Sequence, residues 1–263
     1  MNEITSRENP LIKEYISLRD KKKCRSEQKM FVLEGARIAL DAVSEGVEMV
    51  YGFVTEDAMG KYPESVDRLA AALGDRLYRI PELLADKLSD TKGSQGIFVC
   101  AKALDKNPMP DKIKDGAKFL ILADLQDPGN VGTIIRVSDA VGIAGVYLCG
   151  CCDIYNTKTV RSTMGSMFRV PFECGMSFED VIGLMRERGV TTYASVIDPS
   201  AQSLREAEFE PTCAVVIGNE GAGLSQSEIA LCDKRITIKM KGNINSLNAA
   251  SAAGIFLWEL TKR

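Results

Sequence analysis

Val215-Val216-Ile217-Gly218-Asn219-Glu220-Gly221-Ala222-Gly223-Leu224-Ser225 is the stretch on which the reading of this chain turns. Cys213–Ile217 is a short apolar, β-branched run of the kind a fully buried strand requires. Three glycines then follow within six residues, and glycine lets backbone approach a ligand closely. The loop is not a GxGxxG fingerprint and lacks the Gly-Lys-Ser/Thr ending of a phosphate-binding loop, which disfavours nucleoside triphosphate hydrolysis. Glu220 in such a loop is either a turn-surface carboxylate or a functional group.

Ligands of open parallel sheets bind beyond the carboxyl ends of the strands. Two more predicted strand ends carry unusual residues. Asp124-Leu125-Gln126-Asp127-Pro128-Gly129-Asn130-Val131-Gly132 is a Pro- and Gly-rich turn leading into a helix that contains Arg136. Six residues of ideal helix would not bring Asn130 onto the face of Arg136, but Asn130 is expected in the turn or at the helix cap, where its orientation is free of that phasing. Its bland reading is a capping Asn with a solvated Arg. Ile236–Met240 is expected to be a strand, followed by Lys241-Gly242-Asn243-Ile244-Asn245-Ser246-Leu247-Asn248 and a helix over Ser246–Leu260 that Ser246 could cap. The small residues from Ala249 to Gly254 suit close backbone packing.

Around these segments, strands are expected at Phe119–Leu125, Val146–Cys149 and Thr192–Val196. Helices are expected at Gly132–Val141, Phe178–Arg188 and Ser225–Leu231. Strands alternating with helices imply a mostly parallel sheet covered on both faces. Residues 1–105 read as a separate small α/β unit. It has a helical pattern at Leu11–Leu18 and a strand at Phe31–Gly35 turning into a helix at Ala36–Ser44. Further strands are expected near Val50–Val54, Leu77–Ile80 and Gly96–Cys100, with a helix near Pro81–Leu88. The Pro-rich, polar stretch at 106–114 is the expected linker, and 115–263 the second domain.

Together the three strand-end segments resemble the signature motifs of the SpoU (TrmH-type) branch of the SPOUT methyltransferases. The matches are Asn130-x-Gly132-x3-Arg136, Ile217-Gly218-Asn219-Glu220-Gly221-x-Gly223-Leu224 and Ile238-x-Met240-x-Gly242-x3-Ser246-Leu247-Asn248, in the family's order. The resemblance implies an α/β trefoil-knot domain with a mostly parallel sheet, a homodimer with its active site near the subunit interface, and S-adenosylmethionine as methyl donor. It also implies cofactor contacts at Gly218, Asn219, Gly221, Ile238, Met240 and Leu247. Asn130, Arg136, Glu220, Ser246 and Asn248 fall on the family's catalytic positions. Lys239 stands where many members have proline, and Ala249, Ala250 and Ser251 stand where members are Val-rich. Phe31–Gly35 and Ser89-Asp90-Thr91-Lys92-Gly93-Ser94-Gln95-Gly96-Ile97 are similar to a ribosomal-protein-like RNA-binding domain that precedes many members. The implied reaction is methylation of an RNA ribose 2′-hydroxyl, with ribosomal RNA favoured over transfer RNA. A non-catalytic RNA-binding or ribosome-assembly protein is the main rival.

Composition narrows the chemistry. The chain of 263 residues has no histidine, which removes Ser-His-Asp and Cys-His catalysis. Its eight cysteines are scattered, and the one CxxC, Cys149 to Cys152, lacks further ligands, so no metal site is expected. No apolar run approaches the roughly 18 residues of a membrane span, and the polar N-terminus reads as cytoplasmic, not exported. Net charge is −3, so RNA affinity must come from local patches. The candidates are Lys21, Lys22, Lys23 and Arg25, with Lys158, Arg161 and Arg169 as a second group. Arginine stays protonated below a pKa of about 12. Arg136 is therefore expected to position phosphate and stabilise charge, with Glu220, Ser246 or the substrate phosphate as candidate proton acceptors.

Overall fold

The computed structural model describes residues 1–104 and 113–262. Positions 106–112 of the expected linker lie outside the described residues. The chain forms two compact units, Met1–Asp105 with Tyr155–Phe168, and Lys106–Ile154 with Arg169–Arg263.

In the first unit, strands β1 (Asn2–Glu3), β2 (Met30–Glu34), β3 (Met49–Val54), β4 (Leu77–Arg79) and β5 (Ile97–Lys102) form a sheet in the order β1-β4-β3-β5-β2. β1, β4 and β3 run parallel, whereas β5 is antiparallel to both β3 and β2. The helices are α1 (Pro10–Asp20), α2 (Lys22–Gln28), α3 (Ala36–Ser44), α4 (Glu56–Lys61), α5 (Pro63–Leu73) and α6 (Glu82–Leu88). α1 buries Ile12, Tyr15 and Leu18, a three-residue spacing that lays one face on Phe53 and Phe98. α8 (Thr157–Ser162) belongs to this unit too, and the Tyr155 ring before it packs on Phe31 at 4.8 Å between centroids. Sequence periodicity missed α2, α4, α5 and α8. α5 begins with proline at its first turn and buries Val66, Leu69 and Leu73, a signal present but passed over.

The second unit contains β6 (Lys118–Ala123), α7 (Pro128–Val141), β7 (Gly145–Cys149), β8 (Phe172–Cys174), α9 (Phe178–Glu187), β9 (Thr191–Ser195), β10 (Gln202–Ser203), β11 (Cys213–Ile217), α10 (Gln226–Leu231), β12 (Lys234–Thr237) and α11 (Ala249–Leu260). Its seven strands order β10-β12-β9-β11-β6-β7-β8, and every neighbouring pair is parallel. All five residues of β11 are buried, as expected for a strand covered on both faces. Phe119, Tyr147, Val181, Met185 and Val216 pack one side of the sheet. Because β12, β9, β11 and β6 are adjacent and parallel, the loops after Thr237, Ser195, Ile217 and Ala123 emerge side by side.

Two boundaries differ from expectation. The last predicted strand ends at Thr237, so Ile238 and Met240 have left the sheet. Helix α11 starts at Ala249, capped by the Asn248 side chain accepting from the N–H groups of Ala250 and Ser251, and not by Ser246. Both shifts lengthen the loop at the carboxyl edge of the sheet.

Candidate active site

The loop after β11 is built around two residues. A Cβ on Gly218 would lie 2.5 Å from the Gly223 carbonyl carbon and 2.5 Å from the Leu224 nitrogen. Only glycine lets the loop fold back onto its own strand at this closeness. Asn219 then locks the turn. Its Oδ1 accepts from Gly221 N–H (2.9 Å) and Ala222 N–H (3.1 Å), and its Nδ2 donates to the Asp124 carbonyl (2.8 Å). Asp124 takes a left-handed φ of +56°, uncommon for a residue with a Cβ. That turns its carbonyl to meet both Asn219 and, at 3.2 Å, the Gln126 amide. The ends of β6 and β11 are thus tied together.

Glu220 sits at the centre of this tie. Its carboxylate accepts from Gln126 N–H (3.1 Å), Asp127 N–H (3.0 Å) and Asn130 Nδ2 (3.1 Å). Asn130 Oδ1 in turn accepts from Asn248 Nδ2 at 2.9 Å. A continuous Glu220–Asn130–Asn248 chain therefore links all three motif segments. Partial burial would raise the Glu220 carboxyl, but the bonds from Asp127, Asn130 and Gln126 outweigh it and hold the group below the ordinary glutamate range. Asn130 is the third residue of α7, and the cap expected there is Asp127 instead, whose side chain accepts from Asn130 N–H.

Arg136 is not part of this cluster. It is exposed and makes no hydrogen bond or ion pair among the described residues. Both Asn130 and Arg136 lie inside α7, about 240° apart around its axis, so the guanidinium projects from a different face.

A cleft of about 430 Å³ opens beside the loop. Gly218, Asn219, Glu220 and Gly221 line it from the loop after β11, and Ile238, Met240, Ser246 and Leu247 line it from the segment between β12 and α11. Lys239 is exposed and does not line the cleft, so its departure from the family's proline leaves the lining unchanged. Sequence reasoning missed Asp198 and Arg235, which also line the cleft and pair at 3.3 Å. The polar turn Asp198-Pro199-Ser200 shortly after β9 was the available signal, by the same strand-end rule that found the other segments.

The expected RNA contacts divide. Lys21, Lys22, Lys23 and Lys158 are exposed. Arg25 is not available: it is 5% exposed, and its Nη1 donates to the carbonyls of Leu18 (2.6 Å) and Arg19 (2.9 Å), closing the end of α1. The basic run folds as α2, and Arg25 falls on its inner face. Arg161 pairs with Asp90 at 2.8 Å and Arg169 with Asp139 at 2.7 Å, both partly exposed. The eight cysteines are free thiols. Among the described residues no cluster suited to a metal ion occurs, and no helix is long and apolar enough to cross a membrane.

A parallel α/β domain with a cleft beyond its strand ends, preceded by a smaller α/β unit, is the arrangement found in solved SpoU-type methyltransferases. The chain belongs to the SpoU rRNA methylase family, whose pattern matches residues 117–258, and residues 9–99 match the MRM3-like substrate binding domain. An uncharacterized tRNA/rRNA methyltransferase of Synechocystis sp. is 32% identical over 99% of this chain and 93% of its own length. The 23S rRNA (guanosine(2553)-2′-O)-methyltransferase RlmP of Bacillus subtilis is 29% identical over 99% of both chains. The AdoMet-bound rRNA methyltransferase from Sinorhizobium meliloti superposes with a TM-score of 0.86 at 28% identity, covering 98% of this chain and 97% of that one.

Proposed function

We propose that this protein transfers a methyl group from S-adenosylmethionine to a ribose 2′-hydroxyl of ribosomal RNA, of the 23S type. The observation that carries the reading is the Glu220–Asn130–Asn248 chain standing beside a cleft lined by the loop that Gly218 lets fold back on itself. The cleft suits the donor. Ile238, Met240 and Leu247 offer an apolar wall, and the folded-back loop of Gly218, Asn219 and Gly221 faces it.

When bound, the sulfonium supplies an already activated methyl group. The chain's own task is to place the acceptor hydroxyl in line with it and to let one proton leave. Glu220, held ionised by three donors, orients the Asn130 amide and fixes the loop; it is a positioning residue and a poor proton acceptor. Arg136, unpaired and permanently charged, binds the phosphate beside the target ribose and stabilises charge at the hydroxyl. That phosphate accepts the proton, directly or through the Ser246 hydroxyl, which passes its own proton on as it takes the one from the ribose. Residues 1–105 select the RNA and 115–263 carry out transfer, with Lys21, Lys22, Lys23 and Lys158 meeting phosphates. A homodimer is supported by Trp258 and Ile255 on α11, 64% and 41% exposed, and by the outward aim of Arg136, which a second copy would turn toward a site. A ribosomal-RNA substrate supports a cytoplasmic location.

Mapping 2′-O-methyl marks on ribosomal and transfer RNA in cells with and without the gene tests the function. One ribosomal mark should vanish. Loss of a transfer-RNA mark alone, or of none, would sink this reading.

Glu220→Gln separates positioning from proton transfer. A lowered carboxyl stabilises the folded loop above the ordinary glutamate pKa of about 4.3. That contribution is lost as pH falls through the depressed folded value. Between about pH 6 and 9 the charge state of Glu220 is constant, so the variant's kcat should fall about tenfold while the shape of its pH profile stays that of the wild type. A displaced neutral limb would make Glu220 the base.

A further inference from the structure

A second cleft, of about 200 Å³, lies wholly within the first unit. One side is the corner where β2 turns into α3, carrying Arg37 and Asp41. The other is Arg161 and Met164, at and just beyond the end of α8, with Gln95 between them. None of these groups takes part in the methyl-transfer site.

The walls are held in place by a dedicated network. Glu34 accepts from the Ser89 hydroxyl, from Thr91 Oγ1 (2.8 Å) and from Asp90 N–H (2.9 Å). Asp90 then accepts from Thr157 Oγ1 (2.7 Å) and Arg161 Nη1 (2.8 Å), which fixes the Arg161 guanidinium. Gln95 Oε1 accepts from Ala36 N–H at 2.7 Å, so the rest of its amide is a donor. Arg37 and Asp41, by contrast, have no hydrogen bond or ion pair among the described residues, though both border the cleft. At the rim Met164 takes a left-handed φ of +50° and is 43% exposed. Gly165 follows at φ +84°, where a Cβ would lie 2.5 Å from Asp41 Oδ2. Met164 follows the C-cap of α8, so the left-handed turn that ends the helix is what leaves its thioether at the rim.

A fixed guanidinium plane, an exposed thioether, one donor and one spare carboxylate are the parts of a nucleobase site. Single-stranded bases stack on arginine planes and are read along their Watson–Crick edges. We propose that this cleft takes one unstacked guanine base of the RNA substrate. Arg161 and Met164 form the stacking wall. Asp41 accepts from the guanine N1–H and N2–H, the only adjacent donor pair among the four bases. The Gln95 amide donates to O6, and Arg37 meets the neighbouring phosphate. The inference rests on the RNA-methyltransferase reading and adds to it a base that this unit reads.

Full-length protein is irradiated with ribosomal RNA transcripts carrying either 6-thioguanosine or 4-thiouridine, and cross-linked peptides are identified by mass spectrometry. The 6-thioguanosine transcript should attach to the peptide holding Met164 or Gln95, the 4-thiouridine transcript should not, and Asp41→Asn should abolish the attachment. In steady state, Arg37→Ala and Asp41→Asn should each raise KM for RNA about tenfold or more with kcat and cofactor affinity unchanged. Neither side chain has a partner to lose, so thermal melting should not move. Absence of cross-links at the cleft, or KM within about twofold of wild type in both variants, overturns the proposal. If the wild type cross-links at the cleft but methylates no ribose, the activity reading falls and the base site stands.

Discussion

Gly218→Ala is expected to abolish measurable S-adenosylmethionine binding, at least a hundredfold in Kd. The added Cβ meets backbone, the Gly223 carbonyl carbon and the Leu224 nitrogen, each at 2.5 Å. Flexible side chains can swing away from such a clash, but a main chain already tied by Asn219 cannot. The loop must therefore move, breaking the bonds from Asn219 to Gly221 and Ala222 and shifting the wall that Gly218 and Gly221 give to the cleft. Overpacking of this kind costs about 1–3 kcal/mol or more, and the cost falls on the ligand-binding loop. Calorimetric titration with the cofactor, alongside thermal melting, reads the outcome. A Gly218→Ala protein with wild-type cofactor affinity would show that the cleft is not the donor site.

Arg136→Lys should lower kcat about 10²- to 10³-fold, the usual cost of removing one donor aimed at developing charge. Lysine keeps the charge but not the planar pair of donors that grips phosphate. Arg136 lines no part of the cleft, so cofactor affinity should stay within about twofold, and that split distinguishes a catalytic loss from a folding defect. In the proposed dimer, mixing Arg136→Ala with Asn130→Ala chains should restore activity in part, because one of the two sites in a mixed dimer then receives both intact groups. Near-wild-type turnover of Arg136→Lys would exclude an indispensable guanidinium.

Much of this was legible along the chain. The buried strand Cys213–Ile217, the alternation that makes a parallel sheet, and the three motif segments could all be read directly, because apolar runs and glycine-rich ends are local signals. The rule that ligands meet strand ends supplied the cleft's position from order alone. Asn130 was expected in the turn or at the cap, free of helical phasing, but it lies within α7, so the phasing that separates it from Arg136 applies after all.

Other features were decided only by packing. No local pattern marks Arg25 as a buried cation, since its charge is satisfied by the carbonyls of Leu18 and Arg19, brought near only when α1 and α2 meet. Glu220 could be surface or functional until three donors from other segments were seen around it. The cleft between Arg37, Asp41, Gln95 and Arg161 joins residues up to 124 positions apart along the chain (161 − 37). Sequence thus determined which elements form and which of their ends can hold chemistry, because those depend on near neighbours. Tertiary structure alone decided which charges stay free, because that depends on how elements pack, whether the partner sits six residues back, as for Arg25, or about ninety away, as for Glu220.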